Sequence, residues 1–292
     1  LSVKDIVYAT GIPRLRVIPV GDNNEGAAEY FSSNKMLDFI DEVRTRYSDR
    51  YIFIDSPPVT ESSEARILSE IADMVMAYAN AAGEAAKLGF DCVEIHGAHG
   101  YLIDQFFWNV MNTRDDKYGG GLTERAKFGG EIIAEVRKQV GPDMPIILRY
   151  SQWKQQEYTA KLAQTPEELE AFLKVFVDAG VDMLHCSQRR FWEPEFEGSD
   201  LNLAGWSKKL TGLPTITVGS VGLSGDFIAA FQGESSEARA LDDLLERLDK
   251  GEFDLVAVGR ALLQDPLWAQ KVKAGRTDEL MNYDAKALGT LY

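Results

Sequence analysis

Cysteine is scarce in this sequence: Cys92 and Cys186 are the only two in 292 residues. Both stand in apolar, strand-like runs, which predicts two buried, reduced thiols, excludes a disulfide framework and fits a cytoplasmic chain. Positive charge is also short, with 31 Lys and Arg against 46 Asp and Glu, a formal net charge of −15. So acidic a surface repels phosphate backbones, which argues against nucleic acid as a partner but leaves room for one small phosphorylated ligand held by a local Arg. Apolar runs stay well below the ~18–20 residues a membrane span needs, so no membrane partner is expected. Missing as well are a Gly-x-x-x-x-Gly-Lys-Ser/Thr phosphate loop, a Gly-x-Ser-x-Gly elbow and a Cys-x-x-Cys pair. Their absence removes the simplest nucleotide-hydrolysis, esterase and dithiol readings.

What is present is an alternation of helical and strand patterns from about Ala79 onward. A helix over Ala79–Leu88 leads through Gly89 to an apolar strand over 91–95. A second helix, roughly Thr123–Val140, carries Phe128, Ile132, Ile133 and Val136 on one face and is followed by a strand over 145–148. The third is marked by Thr165-Pro166-Glu167-Glu168, a capping box with proline at the first helical position. Leu169, Phe172, Leu173 and Phe176 form its apolar stripe, Gly180 its stop, and a strand over 181–186 comes next. Strands over 215–218 and 255–258 complete five units, the last preceded by a helix with Leu241, Leu244, Leu245 and Leu248. Short apolar runs spaced by helices are the pattern of buried parallel strands. The predicted class is α/β, a TIM-type (β/α)8-like barrel in preference to an open doubly wound sheet.

Parallel α/β folds bind ligands outside the carboxyl ends of their strands. In this sequence those positions hold His96, Arg149, Ser187 with Arg189, Gly219-Ser220 and Gly259-Arg260. Small residues in the last two let backbone amides approach an anion, and Arg260 adds a charged donor, so a phosphate is expected there. His96-Gly97-Ala98-His99-Gly100-Tyr101 gathers two of the three histidines beside a tyrosine. Two chemistries fit: a metal pair completed by His185, or, preferred because no carboxylates cluster with them, a hydrogen-bonding pair facing an anionic or carbonyl oxygen with Tyr101 as proton donor. Trp153, Trp192 and Trp206 are read in loops after strands, lining a pocket or covering the barrel.

The stretch from Gly89 through Glu94-Ile95-His96-Gly97-Ala98-His99-Gly100-Tyr101-Leu102 closely resembles the fourth strand and following loop of the Old Yellow Enzyme family of flavin oxidoreductases. The resemblance continues through Asn112–Gly120, Glu124-Arg125-Ala126, Arg149-Tyr150-Ser151, Val218-Gly219-Ser220-Val221 and Val258-Gly259-Arg260, about three quarters of the chain. It implies an FMN-containing (β/α)8 barrel reloaded by NAD(P)H. His96 and His99 would hold the carbonyl oxygen of a small α,β-unsaturated substrate, and Tyr101 would protonate its α-carbon. By the same resemblance Arg149 lies against the flavin pyrimidine, and Gly219, Ser220, Gly259 and Arg260 hold the FMN phosphate.

Upstream the pattern changes. The family's Pro-Met-Thr type motif and its flavin-contacting glutamine are not visible before Ala79. Instead Leu15-Arg16-Val17-Ile18-Pro19-Val20-Gly21, Glu29-Tyr30-Phe31 and Ile52-Phe53-Ile54-Asp55-Ser56-Pro57-Pro58 resemble part of a bacterial polysaccharide-export tyrosine autokinase, without its phosphate loop. The expectation is a chimera in one structural domain: residues 1–75 a kinase-like βα segment lending strands, residues 76–292 the flavin barrel, with a seam near 72–82. An incomplete barrel exposes an edge, so a homodimer is a candidate state. The alternative is a non-catalytic or weakly flavin-binding chimeric or designed α/β protein that lacks the N-terminal flavin contacts.

Overall fold

The structure is a computed structural model that describes residues 8–9, 16–17, 43, 74–231 and 233–289. By internal packing the chain divides into two units, Leu1–Met74 and Val75–Tyr292. In the first, β1 (Tyr8–Ala9) pairs antiparallel with β2 (Arg16–Val17). β2 falls within the 15–21 stretch that resembles the autokinase. The other N-terminal expectations, including the segment around Asp55, lie outside the described residues.

The second unit holds a five-stranded sheet of β3 (Val93–His99), β4 (Ile146–Lys154), β5 (Met183–Ser187), β6 (Thr215–Val218) and β7 (Leu255–Val256). Every pairing is parallel and the spatial order follows the chain, β3-β4-β5-β6-β7. A doubly wound sheet reverses its order at a switch point. This one winds in a single direction, as a barrel wall does. The fold is accordingly of the (β/α)8 type, with all five expected strands present.

The helices form where their apolar stripes and stops dictate. α1 (Met74–Lys87) precedes β3, and α2 (Leu102–Phe107) and α3 (Leu122–Val140) connect β3 to β4. On α3, Phe128, Ile132, Ile133 and Val136 are all buried, as their spacing predicts. α4 (Pro166–Ala179) has Thr165 as its N-cap, Oγ1 accepting the Glu168 N–H at 3.3 Å. The reciprocal arm reaches one residue further back than a standard capping box, with Gln164 N–H donating to Glu168 Oε2 at 2.7 Å. Its stripe, Leu169, Phe172, Leu173 and Phe176, is fully buried. The helix ends where Gly180 takes φ +98°, a left-handed turn that residues with a Cβ resist.

α5 (Leu203–Thr211) links β5 to β6. Between β6 and β7 lie α6 (Phe227–Phe231) and α7 (Asp242–Asp249), and α8 (Arg260–Gln264) and α9 (Trp268–Lys273) follow β7. On α7 Leu244 is buried, whereas Leu245 faces solvent. Among the described residues, no helix is long and apolar enough to cross a membrane.

Strand alternation divides the sheet into two faces. Ile95, Ile146, Leu148, Tyr150, Leu184 and Cys186 are buried on the face that the helices cover. There Tyr150 and Cys186 meet Ser207 of α5, with 2.6 Å between Tyr150 Oη and Ser207 Oγ. Gly97 lies on this face too, since a Cβ there would sit 3.3 Å from Ile103, Leu148 and Phe107. The opposite face carries Glu94, His96, Arg149, His185, Ile216 and Val218.

Of the two thiols expected to be buried, one is and one is not. Cys186 is buried, and burial pushes its thiol up to about 12. Cys92, however, is exposed, because the strand begins one residue later, at Val93, and leaves it in the connection that precedes the strand.

Candidate functional site

Register sets the site. His96 of β3 stands opposite Arg149 of β4, and Arg149 stands opposite His185 of β5, so the three form one row on the inner face. One step along, Ser151 and Ser187 are opposite each other. The sequence placed His96 and Arg149 in loops just past their strands. Instead β3 runs on to His99 and β4 to Lys154, with an irregularity between Gly97 and His99 where the register shifts.

That irregularity delivers His99. Its φ of +64° is rare for a residue with a Cβ, and its backbone N–H donates to Ser151 Oγ at 3.0 Å. The ring stacks on Trp153 at 4.5 Å, while Nε2 sits 2.7 Å from Ser187 Oγ. His96 and His99 converge, their ring centroids 5.3 Å apart, and the Tyr101 ring lies 5.3 Å from His96. Tyr101 is half-exposed, and its hydroxyl accepts from Gln155 Nε2 at 3.5 Å. Burial and the nearby Arg149 hold both imidazoles below their ordinary pKa, His99 at about 3. They are therefore neutral donors and acceptors at neutral pH rather than cations.

From one inner-face step before that row, Glu94 reaches His185, its Oε2 2.7 Å from His185 Nδ1, a contact that spans β4 to join β5 with β3. Burial works against the Glu94 charge, but the hydrogen bond and attraction from His185, then Arg149 and His96, outweigh it and hold its pKa below the ordinary value. Arg149 Nε and His185 Nε2 are both buried and without a hydrogen-bond partner among the described residues. Two orphaned polar atoms from residues opposite each other in the ladder suit a planar polar group laid against this face, such as the pyrimidine edge of a flavin.

Glycine and serine shape the far end. A Cβ on Gly219 would lie 2.8 Å from the Gln188 carbonyl oxygen, so the β6–α6 loop can pass only without a side chain there. Ser220, at φ +49°, donates from Oγ to the Gly225 carbonyl at 2.9 Å. Arg260 opens α8 and closes over this loop, donating to the carbonyls of Asp226 at 2.7 Å and Gly225 at 2.8 Å and to Ser220 Oγ at 3.3 Å. Gly259 precedes it as N-cap. The structure thus brings Gly219, Ser220, Gly259 and Arg260 together, in a cradle of glycines, a hydroxyl and a guanidinium suited to a phosphate.

The tryptophans separate. Trp153 belongs to β4 and lines the histidines, Trp206 lies on α5, and Trp192 stays in a loop beneath the Arg239 guanidinium, 3.6 Å from its ring centre. Glu94 and the inner-face role of His185 escaped sequence reasoning. The signal was there in the period-two alternation that puts Glu94 with His96, and Met183 with His185.

Residues 58–279 match the NADH:flavin oxidoreductase / NADH oxidase family. The chain belongs to that family. The match begins upstream of the seam expected at 72–82. An NADH oxidase of Thermoanaerobacter brockii is 36% identical over 221 residues, covering 73% of this chain and 31% of the relative. An NADPH dehydrogenase of Bacillus subtilis is 33% identical over 213 residues, covering 73% and 56%. A 12-oxophytodienoate reductase 2 of Arabidopsis thaliana is 34% identical over 199 residues, covering 68% and 48%. Among solved structures, the old yellow enzyme homologue from Zymomonas mobilis superposes with a TM-score of 0.54 at 22% identity, covering 71% of this chain and 53% of that one. Morphinone reductase gives 0.52 at 23% identity, covering 69% and 48%. The chain thus spans between just under a third and somewhat over half the length of these relatives.

Proposed function

We propose that this chain is the barrel portion of an FMN-dependent ene reductase acting on a small α,β-unsaturated carbonyl compound. The observation that carries the reading is the convergence of His96, His99 and Tyr101 beside Arg149. FMN, when bound, supplies the hydride drawn from NAD(P)H and received by the substrate β-carbon. His96 and His99, both neutral, donate hydrogen bonds to the carbonyl oxygen and draw electron density from the double bond. Tyr101, open to solvent on one side, delivers the proton to the α-carbon and can be resupplied by water. Trp153 and Ser187 fix the His99 ring so that one nitrogen stays free for substrate. Arg149 faces the pyrimidine, while Gly219, Ser220, Gly259 and Arg260 take the phosphate. The name NADPH dehydrogenase borne by one relative agrees with the nicotinamide reductant, and 12-oxophytodienoate reductase, borne by another, with an oxo compound as substrate.

A second reading is a folded but weakly flavin-binding or non-catalytic protein, of chimeric origin with an autokinase-like N-terminal segment, because the family's N-terminal flavin contacts are not visible before Ala79. Titration with FMN separates the two: purified protein that remains colourless removes the enzyme. In yellow protein, His96→Ala with His99→Ala should abolish phenolate charge-transfer bands while flavin stays bound, and unchanged bands would contradict the oxygen-binding role. The same preparation tests a cytoplasmic homodimer, through sedimentation and cell fractionation.

A further inference from the structure

Arg260 is held in place without a carboxylate. Among the described residues none lies within ion-pair distance of its guanidinium, and the Asp226 carboxylate, on the residue whose carbonyl it touches, is taken by Arg190 at 3.1 Å. Its fork is directed instead by the Asp226 and Gly225 carbonyls, by the Ser220 hydroxyl and by an aromatic face, with Cζ 5.5 Å from the centre of the Tyr283 ring. Tyr283 is 1% exposed, so that face is shut off from water.

The backbone of Tyr283 is tied to the same loop. Its N–H donates to the Ser236 carbonyl at 2.7 Å, and Ser236 N–H donates to the Tyr283 carbonyl at 2.9 Å, an isolated antiparallel bridge. Ser236 Oγ in turn accepts the Gly225 N–H at 2.7 Å. A Cβ on Gly225 would stand 3.1 Å from that oxygen, so glycine lets the two segments close up. The contacts make a circuit from Arg260 to Gly225, Ser236, Tyr283 and back to Arg260. Three of its members lie within the span that matches the flavin oxidoreductases, whereas Tyr283 lies past residue 279, where that match ends.

We propose that Tyr283 is a positioning residue for the cofactor phosphate: its ring backs the Arg260 guanidinium and keeps the fork turned on the Gly219–Ser220 loop. The proposal rests on the FMN reading above and adds a residue to its phosphate end. The physical reason is charge. A carboxylate in this place would hold Arg260 as firmly but would cancel the charge that attracts a phosphate. An aromatic face draws the cation through its quadrupole and leaves that charge available. The hydroxyl takes no part, since Tyr283 Oη is buried without a hydrogen-bond partner among the described residues.

The test measures FMN and riboflavin affinities of the full chain by fluorescence quenching in wild type, Tyr283→Phe, Tyr283→Leu, Arg260→Ala and the variant combining the last two. The two flavins share their ring system, so the ratio of their affinities reports the phosphate, and a general loosening of the fold drops out of it. Tyr283→Phe removes only an unpaired hydroxyl, so it should fold and keep the wild-type ratio. Tyr283→Leu should weaken FMN by roughly three- to tenfold and leave riboflavin within about twofold of wild type. With Arg260 already alanine, Tyr283→Leu should cost FMN nothing further, because the ring acts through the guanidinium. Equal losses for the two flavins in Tyr283→Leu, a Phe variant as weak as the Leu variant, or full additivity with Arg260→Ala would each overturn the proposal. Wild type that binds neither flavin overturns the FMN reading itself, and this proposal with it, before any variant is compared.

Discussion

Lys154 Nζ lies 2.6 Å from Asp104 Oδ1, and both side chains are fully buried. The other carboxylate oxygen, Oδ2, accepts the Gly100 N–H at 2.7 Å, and Gln105 Nε2 donates to the Gly100 carbonyl at 2.8 Å. Lys154 is also the residue opposite His99 in the ladder. One ion pair therefore ties the end of β4 to the first turn of α2 and clamps the turn that joins His99 to Tyr101. Burial drives the Asp104 pKa up and the Lys154 pKa down, and their mutual attraction opposes both shifts.

Breaking such a pair leaves a lone buried charge, whereas removing both charges leaves little to compensate. Lys154→Met is expected to destabilise by about 3–5 kcal/mol. Asp104→Asn combined with Lys154→Met should recover roughly half of that, because Asn still accepts from Gly100. Urea midpoints of the two single variants and the double variant decide it. Strict additivity would show that the ion pair is not a coupled unit.

His99 makes stability depend on acid. Its folded pKa is about 3, against about 6.5 for a free imidazole. Below 6.5 the unfolded chain therefore binds a proton that the folded chain refuses. The contribution of His99 is fully present above pH 6.5 and is lost as pH falls toward 3, with a slope of at most about 1.4 kcal/mol per pH unit. His99→Gln should flatten the dependence of the urea midpoint between pH 6 and 4. A profile that His99→Gln leaves unchanged would mean that the neutral, buried imidazole contributes nothing to acid sensitivity.

Much of this was legible in the sequence, and the limits were physical. The α4 boundaries could be read because Thr165, Pro166 and Gly180 are strong local signals, and the five strands because each is a short apolar run between helices. Local signals do not report pairing distance, however. The ladder carries β3 beyond His96 and β4 beyond Arg149 only because each has a neighbour at that depth. The contact of Glu94 with His185 joins residues 91 positions apart across a third strand, and no spacing rule reaches it. Cys92 departs from the expectation because apolar neighbours in sequence do not bury a residue that stands just outside its strand.

The thiols give a direct check on that last point. Cys92 is exposed, while Cys186 is fully buried with its thiol pushed up to about 12. Thiolate is the reacting species, so an aromatic disulfide reagent at pH 8 should modify about one thiol per native chain and about two once urea is added. A Cys92→Ser variant should show no fast native reaction. Rapid native labelling of Cys186 would contradict the α5 packing over β5.

Arg260 allows the phosphate assignment to be tested against its structural role. The guanidinium already holds the Gly225 and Asp226 carbonyls and the Ser220 hydroxyl, so its removal loosens the loop whether or not a phosphate binds. FMN and riboflavin share the ring and differ in the phosphate, which separates the two effects. Hydrogen bonds to charged groups contribute about 1.5–3 kcal/mol, so Arg260→Ala should weaken FMN by roughly ten- to hundredfold. Riboflavin should weaken by about threefold or less, the share due to loop geometry alone. Arg260→Lys keeps the charge without the fork and should fall between wild type and alanine for FMN. Equal losses for the two flavins would leave Arg260 as a loop clamp and move the phosphate elsewhere.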